Sequence, residues 1–209
     1  MKLIFLKPFL ITAFTAIAFI LSSIDLYADI IPESSDTLTA TYKLHGQTRR
    51  FKYVFHNMPD GGIKLDWSIV RNLKLWTGSY VMTRQAVRHG DSLSYLMPED
   101  GNHITLDDSE TFGIISADAL ANLKDKGETI INGILFKKID VSPTTNVIHA
   151  RDNAEGANIW ILDNPRLPLI LKMTDNPIEI NWTLSFLFPS DAQNIGICQM
   201  NPTERELVK

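Results

Sequence analysis

From Thr37 onward, apolar and polar residues alternate with a period of two along most of the chain, the mark of strands with one face buried and the other wet. The clearest case places Ile178, Ile180, Trp182, Leu184, Phe186 and Phe188 on one face and Glu179, Asn181, Thr183 and Ser185 on the other. The same pattern predicts strands over Leu38 to Leu44, Arg50 to Phe55, Ile63 to Val70, Ser79 to Met82, Ser92 to Met97 and His103 to Leu106. Downstream it predicts Thr129 to Ile131, Ile134 to Val141, Asn146 to Arg151, Asn158 to Leu162 and Leu169 to Met173. Turn chemistry separates these runs at His45-Gly46-Gln47, Pro59-Asp60-Gly61-Gly62, Pro98 to Asn102, Asn132-Gly133 and Asp175-Asn176-Pro177. Asn132-Gly133 between two apolar runs is a strong signal for a two-residue hairpin.

One helix interrupts the alternation at about 116–126. Ser116 serves as its N-cap, Asp118 lies in its first turn, and Lys124, Lys126 and Gly127 close it. Leu120 and Leu123 then face the sheet. A second, short helical turn over 84–89 follows Thr83 and stops at Gly90. With one clear helix against about a dozen strands, a parallel α/β arrangement is disfavoured. The expected fold is mainly β (α+β): one domain over residues 29–190, a curved antiparallel sheet or open half barrel of β-roll type holding the helix on its concave face. Residues 191–209, broken by Pro202, read as a weakly ordered tail.

Two echoes run through the pattern. Ile63-Lys64-Leu65-Asp66-Trp67-Ser68-Ile69 matches Ile178-Glu179-Ile180-Asn181-Trp182-Thr183-Leu184 in residue class, and Val81-Met82-Thr83 with Ala86-Val87 matches Ile114-Ile115-Ser116 with Ala119-Leu120. Either these strands occupy pseudo-equivalent places in one sheet, or two amphipathic strands simply look alike.

The amino terminus changes the picture. Lys2 and Lys7 precede an apolar run from Phe9 to Leu21, and Leu26-Tyr27-Ala28 follows, which reads as a signal peptide cleaved after Ala28. The run is shorter than the roughly 20 apolar residues of a membrane span, and no second such run follows. An uncleaved anchor is the competing reading, since Leu3 to Leu21 is broken only by Lys7 and Pro8. The expected location is periplasmic or secreted. The full chain has formal charge -4, and nucleic-acid binding is not expected: Arg49, Arg50 and Lys52 straddle Phe51 and divide between two sheet faces. The single cysteine, Cys198, excludes an intramolecular disulfide.

The run Glu110-Thr111-Phe112-Gly113-Ile114-Ile115-Ser116 to Gly127, followed by Ile159-Trp160-Ile161-Leu162-Asp163-Asn164-Pro165 and Pro168-Leu169-Ile170-Leu171, resembles a pattern in uncharacterised bacterial envelope proteins. Some of those carry a similar domain ahead of an OmpA-like peptidoglycan-binding domain. The resemblance spans roughly Glu110 to Met173 and brings no catalytic residue with it. At the level of fold, strands with one packed helix also resemble the open half barrel of periplasmic lipoprotein carriers.

Candidate chemistry is sparse. Asp107, Asp108 and Glu110, with Glu99 and Asp100 upstream, form the densest acidic cluster and could supply a carboxylate pair for a small envelope hydrolase. A solvated turn is the plainer reading. No metal is expected, because His45, His56, His89, His103 and His149 are scattered without ligand spacing, and no cofactor motif occurs. A serine nucleophile elbow is missing. Of the four tryptophans, Trp67 and Trp182 fall in phase with buried neighbours, leaving Trp76 and Trp160 as the candidates for a ligand or glycan groove. The expected function is an exported, non-catalytic envelope protein that binds an apolar small molecule or an envelope partner through its curved sheet. An acidic-loop hydrolase and a glycan-binding β-module are the alternatives.

Overall fold

The computed structural model describes residues 37–44, 46–95, 98–139 and 146–186. The expected signal peptide over 1–28, the tail over 191–209 and Cys198 lie outside the described residues.

Four long strands open the fold: β1 (Thr37–Leu44), β2 (Gln47–Asn57), β3 (Ile63–Arg71) and β4 (Lys74–Met82). Helix α1 (Arg84–His89), β5 (Ser92–Leu93), β6 (His103–Thr105), β7 (Glu110–Thr111) and helix α2 (Ala117–Asp125) follow. The chain then adds β8 (Glu128–Ile131), β9 (Ile134–Ile139), β10 (Val147–Asp152), β11 (Asn158–Leu162), β12 (Ile170–Thr174) and β13 (Ile180–Phe186). Eleven strands form one curved, unclosed sheet in the order β6-β4-β3-β2-β1-β13-β12-β11-β10-β9-β8, antiparallel except for β4 with β6. The seam joins the first long strand to the last, with Leu38 opposite Phe186 and Leu44 opposite Ile180. A small parallel pair, β5 with β7, lies apart.

Period two explains the faces. Leu38, Ala40, Tyr42, Phe51, Tyr53, Phe55, Leu65, Trp67, Tyr80, Trp182 and Leu184 are all buried on the concave side. The convex side carries polar side chains such as Lys64, whose Nζ lies 2.8 Å from Asp66. A register shift between Trp160 and Ile161 lets the adjacent residues Ile161 and Leu162 both be buried. Helix α2 forms where its signals stand: Ser116 Oγ accepts the Ala119 N–H at 3.3 Å, and Leu120 and Leu123 are buried. Thr83 caps α1 in the same way, accepting from the Ala86 N–H at 3.1 Å.

Three expectations need correction. The strand expected from Ser79 begins at Lys74, because Asn72 and Leu73 form a two-residue hairpin turn with φ of 50° and 60°. That turn has the same left-handed geometry as Asn132-Gly133, at 53° and 74°, but with a leucine where the conformation favours glycine. Of the strand expected over Ser92 to Met97, Ser92–Leu93 is strand, Ser94 and Tyr95 are not, and Leu96 and Met97 lie outside the described residues. Ile178 leaves the buried face of the last strand, because Glu179 at φ 57° breaks the extended backbone, and it stands 47% exposed.

The echoes survive in placement but not in contacts. Trp67 and Trp182 are both buried from interior strands, whereas Asp66 meets Lys64 and Asn181 Oδ1 accepts the Asn176 N–H at 3.1 Å.

Candidate functional site

The ends of the strands decide where the concave face opens. By their pairing, the β1–β2, β3–β4, β8–β9, β10–β11 and β12–β13 turns all lie at one end of the sheet. Near that end Ser94 and Tyr95, the described residues that follow β5, lie against the concave face as a strap. It is held by side chain and backbone together: the Leu93 N–H donates to Asn132 Oδ1 at 2.7 Å, Asn132 Nδ2 donates to the Leu93 carbonyl at 3.3 Å, and the Ser94 N–H donates to the Thr111 carbonyl at 2.8 Å. Asn132 thus does double duty, forming the β8–β9 turn and fastening this strap.

Tyr95 of the strap divides the space beneath. Its ring meets Trp182 edge-on at 6.2 Å, and its hydroxyl reaches Met173 Sδ at 3.9 Å. Burial raises its pKa, so the hydroxyl stays protonated. On the β1–β2 side the remaining cleft is only about 30 Å³, lined by Tyr42, Phe51, Tyr53, Phe112 and Trp182 among others. On the other side lies a cavity of about 200 Å³ between β5 with its strap and strands β8, β9, β11 and β12, walled by Ile131, Ile134, Phe136, Ile159, Ile170 and Met173. Asn176, Ile178 and Glu155 line it as well, from the β12–β13 and β10–β11 turns. Asn176 Nδ2 points at Met173 Sδ, 3.0 Å away, and its Oδ1 accepts the Ile178 N–H at 3.1 Å.

This cavity can hold an apolar group but is not built for acid–base work. Glu155 is the one carboxylate among its lining residues, and a glycosidase needs two flanking the bond. An apolar space of about 150 Å³ already admits a benzene-sized guest. Whole ligand pockets run to roughly 300–1,000 Å³, so a cavity of this size suits one apolar portion of a larger molecule.

The residues singled out in the sequence lie elsewhere. Asp107 and Asp108 are exposed and Glu110 half-buried, and none of the three lines either space beside the strap. Asp108 Oδ1 instead accepts from Thr83 Oγ1 at 2.6 Å, and the Glu110 N–H donates to the Asp107 carbonyl at 2.9 Å. The loop therefore braces the start of α1. Trp160 is half-buried, stacked on the His149 imidazole at 4.3 Å with Lys172 Nζ 4.6 Å from its ring centre. Burial lowers the His149 pKa, against a hydrogen bond between its Nε2 and Asn158 Oδ1 at 3.0 Å. Trp76, also half-buried, lies under the Arg71 guanidinium at 4.7 Å. The two tryptophans stand on strands at opposite sides of the sheet and form no shared groove.

Among the described residues, no cluster of three or more His, Cys, Asp or Glu could hold a metal ion, and no helix is long and apolar enough to cross a membrane. No protein-family model, curated protein or solved structure matches the chain. The functional reading rests on the geometry of this chain itself.

Proposed function

We propose that the protein is an exported, non-catalytic binding protein of the cell envelope that shelters an apolar portion of its ligand beneath the strap. The observation that carries this reading is the aliphatic cavity of about 200 Å³ beside Tyr95. Its walls come from five strands and exclude the acidic loop, so its chemistry is burial: roughly 25 cal/mol for each Å² of apolar surface removed from water.

The test is displacement of an apolar fluorescent probe from residues 29–209. Wild-type protein binds the probe. Ile134→Trp, placing a ring in the cavity from its half-buried edge, weakens binding about tenfold or more. The triple variant Asp107→Asn, Asp108→Asn, Glu110→Gln binds as wild type does. Turnover of a glycan, peptide or ester substrate that the triple variant loses, together with no probe binding by the wild type, would overturn the reading in favour of a hydrolase.

A further inference from the structure

The β3–β4 hairpin breaks the rule that governs the rest of the sheet. Beyond the Trp67–Gly78 pair, its two strands continue to a tip where Val70 is 70% exposed, Leu75 64% and Leu73 100%. Leu73 is also held at φ 60°, a left-handed conformation that a branched side chain adopts at a cost. Neither burial nor turn geometry accounts for a leucine here; the β8–β9 hairpin, at the other side of the sheet, uses Gly133 at the equivalent place. Local strain combined with full exposure of an apolar side chain points to a contact made outside the chain.

Charge identifies the contact. From Ser68 to Gly78 the hairpin carries Arg71 and Lys74 and no acidic residue. Across the four strands of residues 37–82 there are seven basic and two acidic residues, a net +5 in a chain whose total is -4. One of the two acids, Asp66, is already engaged by Lys64 and His56. An apolar tip in a basic collar, with an aromatic ring behind it, is the composition of a segment that enters the interface of an anionic bilayer. Nucleic acid fits less well, since Leu73 and Leu75 offer a phosphate nothing and the Arg71 guanidinium covers Trp76. Self-association through the tips would bring four cations together.

We propose that the Asn72-Leu73 hairpin tip inserts into the interfacial layer of an anionic lipid bilayer, seating the protein with the turn-bearing end of its sheet toward the membrane. Ile178 and the cavity that it lines lie at that same end, so a docked molecule has its apolar space facing the lipid.

The experiment is flotation of purified residues 29–209 with vesicles of phosphatidylglycerol and phosphatidylethanolamine, and in parallel with phosphatidylcholine alone. The expected result is binding to the anionic vesicles that falls steeply with salt. Leu73→Gly keeps the turn geometry and relieves its strain, so it folds at least as well as wild type; it binds the anionic vesicles about tenfold more weakly. Arg71→Gln with Lys74→Gln removes the preference for anionic over neutral lipid. No flotation by wild type, or flotation that Leu73→Gly leaves intact, overturns the proposal. So does a concentration-dependent dimer in light scattering that Leu73→Gly abolishes. The assay contains no apolar probe, so its failure leaves the cavity reading untouched, and the reverse holds as well.

Discussion

Strands β1 to β4 and strands β8 to β12 cover the same concave surface with different materials. The first set fills it with rings, joined by Phe112 from just after β7: Phe51 and Tyr53 lie 5.9 Å apart, Tyr80 and Phe112 4.8 Å, and the Tyr53 hydroxyl donates to the Tyr42 oxygen at 2.9 Å deep inside. Burial pushes the Tyr80 pKa up to about 12. Packing is close enough that a Cβ on Gly78 would stand 2.4 Å from the Trp67 ring and 2.4 Å from the Asn102 carbonyl oxygen. The second set presents mostly aliphatic residues, Ile131, Ile134, Ile159 and Ile170, with Phe136 as its one ring in the lining, and a cavity of about 200 Å³ remains against them. A ring buries 150–250 Å² and closes its own gap, whereas branched aliphatics on a concave wall leave a space. One half of the sheet is therefore a filled wall, and the other a lined hollow.

The seam between the halves gives the largest expected effect. Trp182 is buried there, touching Tyr42 at 5.6 Å and Tyr95, with its Nε1 donating to the Ile170 carbonyl at 3.1 Å. Trp182→Ala should destabilise by about 3–5 kcal/mol in a denaturant titration, and exposed Thr183→Ala by under about 1 kcal/mol. Equal losses would mean that β13 or its register is misassigned. The contrast between wall and hollow is sharper in small-to-large changes. Gly78→Ala should cost about 1–3 kcal/mol, because both neighbours of the new methyl group are fixed. Ala157→Val adds two carbons toward the cavity and should change stability by less than about 0.5 kcal/mol. If both cost the same in thermal unfolding, the hollow is not a space the fold keeps open.

The smallest effect belongs to the convex face. The lowered His149 pKa means that the folded protein resists protonating this imidazole more than the unfolded chain does. Its contribution is thus present above the ordinary histidine pKa and lost as pH falls below it. By NMR, His149 should titrate below about 6.5, and Trp160→Ala, which strips its stacking cover, should bring the midpoint back toward that value.

Much of this was legible from residue pattern. Alternation gave the faces of β1, β2, β3 and β13, Asn132-Gly133 announced its hairpin, and Ser116 and Thr83 marked both helix starts. The Asn72-Leu73 turn was not legible, because its backbone conformation runs against the preference of leucine and no glycine signals it. Nor was the cavity: its walls come from five strands and a strap, and period two says only that each residue is buried, not whether its neighbours reach it. The available signal lay in side-chain size, the buried face being mostly aromatic in β1 and β2 and mostly aliphatic in β8 to β12. Trp76 and Trp160 stood out as half-exposed rings, but alternation could not show that each already has a cation over its ring.

The pairing of β1 with β13 also sets the order in which this molecule can assemble. Leu38 pairs with Tyr53 of β2 on one side, but its other partner is present only with Phe186, so the sheet cannot be completed from its amino-terminal half alone. Contacts between residues so distant in sequence carry a large loop-closure entropy and make for slow folding. Until β13 arrives, β1 is a bare edge whose N–H and C=O groups can pair with any extended chain nearby. A chain cut short before Ile180 should therefore expose an adhesive strand, and the protein is most open to aggregation or to capture by a chaperone in the interval before β13 is added.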